Sequence, residues 1–200
     1  MSARVIERMH KLNVRNWVKN YLASIFVFFL VTTPVATAAD DPIAPDWELS
    51  TAEGRTVRLS EEVEQQTTVL LFWATWCPYC KALMPHLQSI RFEYGDDVKV
   101  LAINVFEDGD PLAFMQKEGY DFVLLADGDD VADTYGVSAT PGVIVVGRDR
   151  VAHFDLRLLP PRANKSVTGP TSHKRKAALL APYWAAEIRK VIDSVRQDYR

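Results

Sequence analysis

TTVLLFWATWCPYCKALM, Thr67 to Met84, carries an unbroken apolar run straight into two cysteines placed three positions apart. From Thr67 to Thr75 the run is rich in β-forming residues and does not alternate, the mark of a central strand covered on both faces. After Cys80 the residues Leu83, Met84, Leu87, Ile90 and Tyr94 recur at helical spacing and stop at Gly95. The cysteines are therefore expected at a strand-to-helix junction. Pro78 suits that place, because a first-turn proline gives up an N–H that has no helical partner anyway.

The flanks continue the alternation of strand and helix. Upstream, DWELSTAEGRTVRLS gives two short alternating runs about the turn Glu53-Gly54, an early β-hairpin, and Ser60 ahead of Glu61 and Glu62 reads as the N-cap of a short helix. Downstream come a buried strand over Val98–Val105, a helix from Asp110 that ends at Gly119, and a strand in DFVLLAD. A short helix in DDVADTYGV, a strand in TPGVIVVG and, past the Arg148-Asp149 turn, a strand in RVAHFDL follow. Residues 157–175 are basic, hold three prolines and have no period, so they read as a solvated loop. Trp184, Ile188, Val191 and Val195 then predict a terminal helix over 181–198, with Pro182 in its first turn. This order predicts an α/β fold, a three-layer sandwich with a mixed central sheet flanked by helices.

The first 39 residues read differently. Arg4, Arg8, Lys11, Arg15 and Lys19 precede an apolar stretch from Tyr21 to Val31, and VATAAD offers small residues for cleavage near Ala38 or Ala39. Residues 1–39 are thus expected to be a signal peptide or an N-terminal membrane anchor, and residues 40–200 an exported domain in the periplasm or another extracytoplasmic space. The whole chain carries a net charge of −3; without residues 1–39, eighteen Lys and Arg face twenty-five Asp and Glu, about −7. No long basic run calls for a nucleic-acid partner.

Two cysteines cannot build a multi-bridge framework, and no second Cys/His pair completes a zinc site. At a helix start, unpaired N–H groups and the dipole favour an anion, so Cys77 is expected to be the more acidic thiol and the nucleophile. Cys80, one turn further in, is then placed to attack a mixed disulfide formed by Cys77. Tyr79 offers an aromatic contact to whatever docks. A purely structural disulfide is an alternative, although closing so short a loop stabilises little. Haem attachment fails because Lys81, not histidine, follows Cys80. A copper-binding site of Cys77, Cys80 and an imidazole such as His86 or His153, as in a metallochaperone, stays open.

A second feature, SATPG from Ser138 to Gly142, stands just before an apolar strand and suggests a tight Thr140–Pro141 bond at a strand start, either cis or, as in most X–Pro pairs, trans. Glu107, Asp108, Asp110, Asp127, Asp129 and Asp130 match no EF-hand loop and read as turn and cap residues.

Taken together, APDWEL, the hairpin, FWATWCPYCK, Pro85, the added helix and strand between Gly109 and Asp127, and the Thr140-Pro141 pair resemble the thioredoxin superfamily. The resemblance is closest to its exported TlpA/ResA/DsbE-like thiol–disulfide oxidoreductases and covers about Pro45 to Leu156. It implies a thioredoxin-like sandwich with an N-terminal hairpin and a βα insertion, and dithiol–disulfide exchange with protein substrates. Cys77 would attack, Cys80 would resolve, Pro141 would face the disulfide, and Thr140 would pair with an extended substrate segment. Trp76, Pro78 and Tyr79 would flank the site. No cofactor or metal beyond the Cys77–Cys80 disulfide is implied, and the partners would be protein thiols and a membrane thiol–disulfide electron donor or acceptor. Reductase action is the favoured direction, disulfide oxidase or isomerase action the alternative, and cytochrome c maturation is among the roles of such proteins. The chain departs from these relatives in carrying Leu71 and Leu83 where several of them carry an acid. Related peroxidases need Pro and Thr ahead of their cysteine in a pattern that Thr75 alone does not supply.

Overall fold

The computed structural model describes residues 42–160, 172–197 and 199; the expected targeting segment, residues 1–39, lies outside the described residues. An antiparallel hairpin opens the chain, β1 (Glu48–Ser50) and β2 (Thr56–Arg58), with Leu49 opposite Val57. Helix α1 (Leu59–Gln65) leads into β3 (Thr67–Trp73), and α2 (Pro78–Tyr94) into β4 (Val98–Asn104). Helix α3 (Pro111–Glu118), β5 (Val123–Leu125), α4 (Asp129–Thr134), β6 (Gly142–Val146), β7 (Ala152–Asp155) and α5 (His173–Gln197) complete the order. Five strands form one sheet in the order β5-β4-β3-β6-β7. β3 runs parallel to β4 and antiparallel to β6, so the sheet is mixed as expected.

Every residue of β3 is buried, because the strand is central and both of its faces are covered. Its pleat sorts the side chains. Val69, Leu71 and Trp73 pack with Leu83, Leu87 and Ile90 of α2 and with Ala185 and Ile188 of α5. Leu70 and Phe72 pack on the other side with Val63 of α1, Val131 of α4 and Val57 of the hairpin. Each large apolar side chain so buried contributes about 1.5–3 kcal/mol. Gly95 closes α2 at φ 57° and Gly119 closes α3 at φ 73°, positive values that glycine adopts without a Cβ clash, and Gly119 takes up the left-handed cap conformation.

Two expectations need correction. Ser60 is not an N-cap: α1 already starts at Leu59, and Ser60 lies in its first turn. The cap comes from Asp46 across the hairpin, whose carboxylate accepts from Ser60 N–H and from Ser60 Oγ, both at 2.9 Å. The terminal helix starts at His173, eight residues ahead of the expected 181, so Pro182 lies inside it and removes one helical hydrogen bond. Its buried stripe is Ala177, Ala181, Ala185, Ile188, Ile192 and Val195, while Trp184 and Val191 sit half-buried at the edges. Alanines mark a stripe faintly in sequence, yet their small side chains let α5 lie close on α2. Of the stretch 157–175, residues 161–171 lie outside the described residues, Leu156–Leu158 form a short 3-10 turn, and residues 173–175 are helical. Arg157 is not free there: Asp155 and the Gly136 carbonyl hold its guanidinium. No helix among the described residues is long and apolar enough to cross a membrane.

Candidate functional site

β3 ends at Trp73, and the next residues turn the chain so that Cys77 becomes the N-cap of α2. Val105 N–H donates to Trp73 O at 3.0 Å and Cys77 N–H to Ala74 O at 3.2 Å, which ties the turn to the end of β4. Cys80 N–H donates to Cys77 Sγ at 3.1 Å. A sulfur therefore stands where a Ser or Asp oxygen caps other helices, facing first-turn N–H groups and the positive end of the helix dipole. The two cysteines form a disulfide with Cα atoms 5.3 Å apart. Cys80 is fully buried, and Cys77, 1% exposed, borders a groove of about 610 Å³ that gives access to it.

Four pieces of chain line the groove, one of them the loop after β4 that carries Phe106. The turn itself supplies Trp76, Cys77, Pro78 and Tyr79. Ser138, Ala139 and Thr140 precede β6, and the Thr140–Pro141 bond is cis, the rarer of the two forms the sequence left open. His173 comes from the first turn of α5. Pro141 adjoins Thr140 without itself lining the groove. Trp76 is half-exposed, and its Nε1 donates to Phe106 O at 2.7 Å, which sets both rings on one wall. Phe106 adopts φ 53°, a left-handed conformation costly for a bulky residue, and its N–H is held by Asp129 Oδ1 at 3.0 Å. Tyr79 does not swing free: its hydroxyl meets His173 Nδ1 at 3.2 Å, and its ring lies 6.1 Å from that of Trp184.

Behind the turn, five hydrogen bonds converge on Glu107. Its Oε1 accepts from Thr75 Oγ1 at 2.6 Å, Gly109 N–H at 2.9 Å and Asp108 N–H at 3.0 Å; its Oε2 accepts from Asn104 Nδ2 at 2.7 Å and Thr75 N–H at 2.8 Å. Burial pushes this carboxyl up, but the hydrogen bonds from Thr75, Asn104 and Gly109 outweigh it and hold the pKa down to about 2. Glu107 is thus a fixed carboxylate. Gly109 packs so closely that a Cβ there would stand 2.6 Å from Thr75 Oγ1. The apolar Leu71 and Leu83 are both fully buried in the same core as the cysteines.

Of the residues singled out by the sequence and the resemblance, Trp76, Cys77, Pro78, Tyr79 and Thr140 line one groove, while Cys80 lies buried behind it and Pro141 beside it; Phe106 and His173 line the groove as well, and Glu107 and Asn104 stand behind the turn. Asn104 left a signal, a polar residue closing an apolar strand. His173 left none, since helix packing alone carries it back to Tyr79. The two imidazoles considered as copper ligands stand elsewhere: His153 Nε2 pairs with Asp149, and His86 lies on α2, its pKa lowered by burial and by Arg189. Among the described residues no three His, Cys, Asp or Glu side chains gather as a metal site. Asp110 caps α3 through Ala113 N–H at 2.9 Å, the cap role read from the sequence.

Residues 41–154 match the AhpC/TSA family. The thiol-disulfide oxidoreductase ResA of Geobacillus thermodenitrificans is 33% identical over 128 residues, 61% of this chain and 70% of the relative. A thioredoxin-like protein of Haemophilus influenzae is 26% identical over 70% of this chain and 86% of its own length. Among solved structures, one from Chlorobium tepidum described as a thiol:disulfide interchange protein DsbE superposes with a TM-score of 0.52 at 26% identity, over 57% of this chain and 82% of that one. The chain therefore belongs to the AhpC/TSA family, among its thioredoxin-like thiol–disulfide oxidoreductases of the TlpA/ResA/DsbE kind.

Proposed function

We propose that the protein reduces disulfides in other proteins outside the cytoplasm, with Cys77 as nucleophile, Cys80 as resolving thiol, and a membrane thiol–disulfide donor restoring the dithiol. The observation that carries this reading is the placement of Cys77 Sγ as the cap of α2, bonded by Cys80 N–H and bordering the groove, with Cys80 behind it. The reduced Cys77 thiolate attacks one sulfur of a substrate disulfide; that S–S bond breaks, a mixed disulfide forms, and the first substrate sulfur leaves and takes a proton. Cys80 then loses its proton and attacks Cys77 Sγ, which releases the second substrate sulfur. Two electrons pass from the cysteine pair to the substrate; of the two protons its sulfurs gain, one is balanced by Cys80 and the other comes from solvent. Trp76, Pro78 and Tyr79 contact the docked segment, and Thr140 beside Pro141 offers it backbone pairing. The export-type features of residues 1–39 support a periplasmic location, either released or held at the membrane by that segment.

The test is trapping. Cys80→Ser accumulates substrates on Cys77 as mixed disulfides, separable on non-reducing gels, and Cys77→Ser accumulates none; equal trapping by both variants would contradict the assigned roles. Acid-quenched thiol labelling in cells reads the direction, a mainly reduced pair for a reductase and a mainly oxidised pair for an oxidase.

A further inference from the structure

We propose that His173, held by Tyr79, is the residue that exchanges protons with the substrate sulfur in the groove beside Cys77. The inference rests on the thiol–disulfide exchange proposed above and adds the group that handles its protons. Each exchange step expels a sulfur anion, which leaves more readily the less basic it is or the sooner it is protonated. The chain's own choices for a proton donor are few. Leu71 and Leu83, buried in the core with the cysteines, have no ionisable group. Glu107 is committed to five hydrogen bonds behind the turn and stays ionised. Among the described residues that line the groove, the titratable side chains other than Cys77 are Tyr79 and His173.

Those two are joined. Tyr79 Oη lies 3.2 Å from His173 Nδ1 with the rings edge to face, centroids 5.9 Å apart. A tyrosine hydroxyl can donate to a neutral ring nitrogen and accept from a protonated one, so the contact survives both charge states of the imidazole. It occupies Nδ1 and leaves Nε2 for a substrate sulfur. An imidazole is also the side chain that changes charge between about pH 5 and 8. Among the described residues, Lys174, Arg175 and Lys176 follow His173 on its own helix, and of the other residues lining the groove only Cys77 and Tyr79 are titratable. In the first step the imidazolium gives its proton to the departing substrate thiolate and becomes neutral; water returns the proton before the second sulfur leaves. No electron passes through the ring. His173 is thus a catalytic residue and Tyr79 a positioning residue.

Three reactions of the reduced full-length protein separate this role from a structural one. Iodoacetamide alkylates Cys77 and expels iodide, which needs no proton. A nitrophenyl disulfide expels an acidic thiol, which needs none either. An aliphatic disulfide peptide expels a basic thiolate, which does. His173→Gln is expected to slow only the third reaction, roughly 3- to 10-fold near pH 6.5, less than general acids give to oxygen leaving groups because a thiolate leaves fairly well unaided. The ratio of the third rate to the first falls by the same factor. Tyr79→Phe, which keeps the ring, shifts the same ratio in the same direction, and Lys174→Gln leaves it unchanged. Equal slowing of all three reactions, no slowing of the third, or an equal effect from Lys174→Gln would each overturn the proposal. A wild-type protein that reduces neither disulfide would instead overturn the exchange reading beneath it.

Discussion

Glu107 grips Thr75 twice, accepting from its hydroxyl at 2.6 Å and from its N–H at 2.8 Å, and so fixes the turn that delivers Cys77 to the start of α2. The residues are thirty-two positions apart and meet because β3 and β4 run parallel, with Trp73 opposite Asn104 at their ends. The loops leaving both strands therefore emerge side by side. The same carboxylate binds Asn104 and Gly109, so the turn before the cysteines and the loop carrying Phe106 behave as one piece.

Glu107→Gln replaces an all-acceptor group by one that brings an NH2 among donors. The variant should lose about 1–3 kcal/mol of stability at pH 7, the range for a broken charged hydrogen bond. The wild-type pKa lies below the ordinary value of 4.5, near 2. The advantage over the variant is therefore complete above pH 4.5 and lost as pH falls through about 2. Urea denaturation of both proteins between pH 7 and pH 3 measures it; superimposable curves at pH 7 would refute the clamp.

Asp46 supplies a helix cap from a distant part of the chain. Asp46→Ala should cost about 1 kcal/mol, the usual loss on removing a capping carboxylate, and Ser60→Ala less, since the Ser60 N–H keeps its bond to Asp46. Burial raises the Asp46 pKa, but the Ser60 bonds outweigh it and leave it lowered. Its stabilising effect therefore holds above the ordinary value of 3.8 and fades as acid is added below it. Thermal melts at neutral and acid pH compare the variants, and a Ser60→Ala loss larger than that of Asp46→Ala would assign the cap to the wrong residue.

Tyr94, near the end of α2, donates to Asp193 Oδ1 of α5 at 2.9 Å, and Arg196 lies over its ring at 4.9 Å. Burial first, then Asp193, push its hydroxyl up to about 12. Because the folded value is the higher one, the contribution is complete below pH 10 and disappears as pH rises through about 12. Tyr94→Phe should cost about 1 kcal/mol at pH 7 and nothing further in strong alkali. Ultraviolet titration of wild type and variant should assign one late-ionising tyrosine to this position; an unchanged titration curve would refute it.

The sequence by itself determined the central strand, the cysteine-bearing helix start and the order of strands and helices. Those features are written in local apolar period and in Pro and Gly punctuation, which act over a single turn or strand. It also carried the family resemblance, because the cysteine motif and the Thr140-Pro141 pair are short and contiguous. Tertiary structure alone decided what meets what: Asp46 on Ser60, Glu107 on Thr75, and His173 on Tyr79. The first turns of α5 were hidden for the same reason, since alanines become a packing stripe only when another helix lies against them. A hydrogen bond or a close helix contact between residues far apart in sequence has no local pattern to announce it; its strength depends on burial and geometry that exist only once the sheet has assembled.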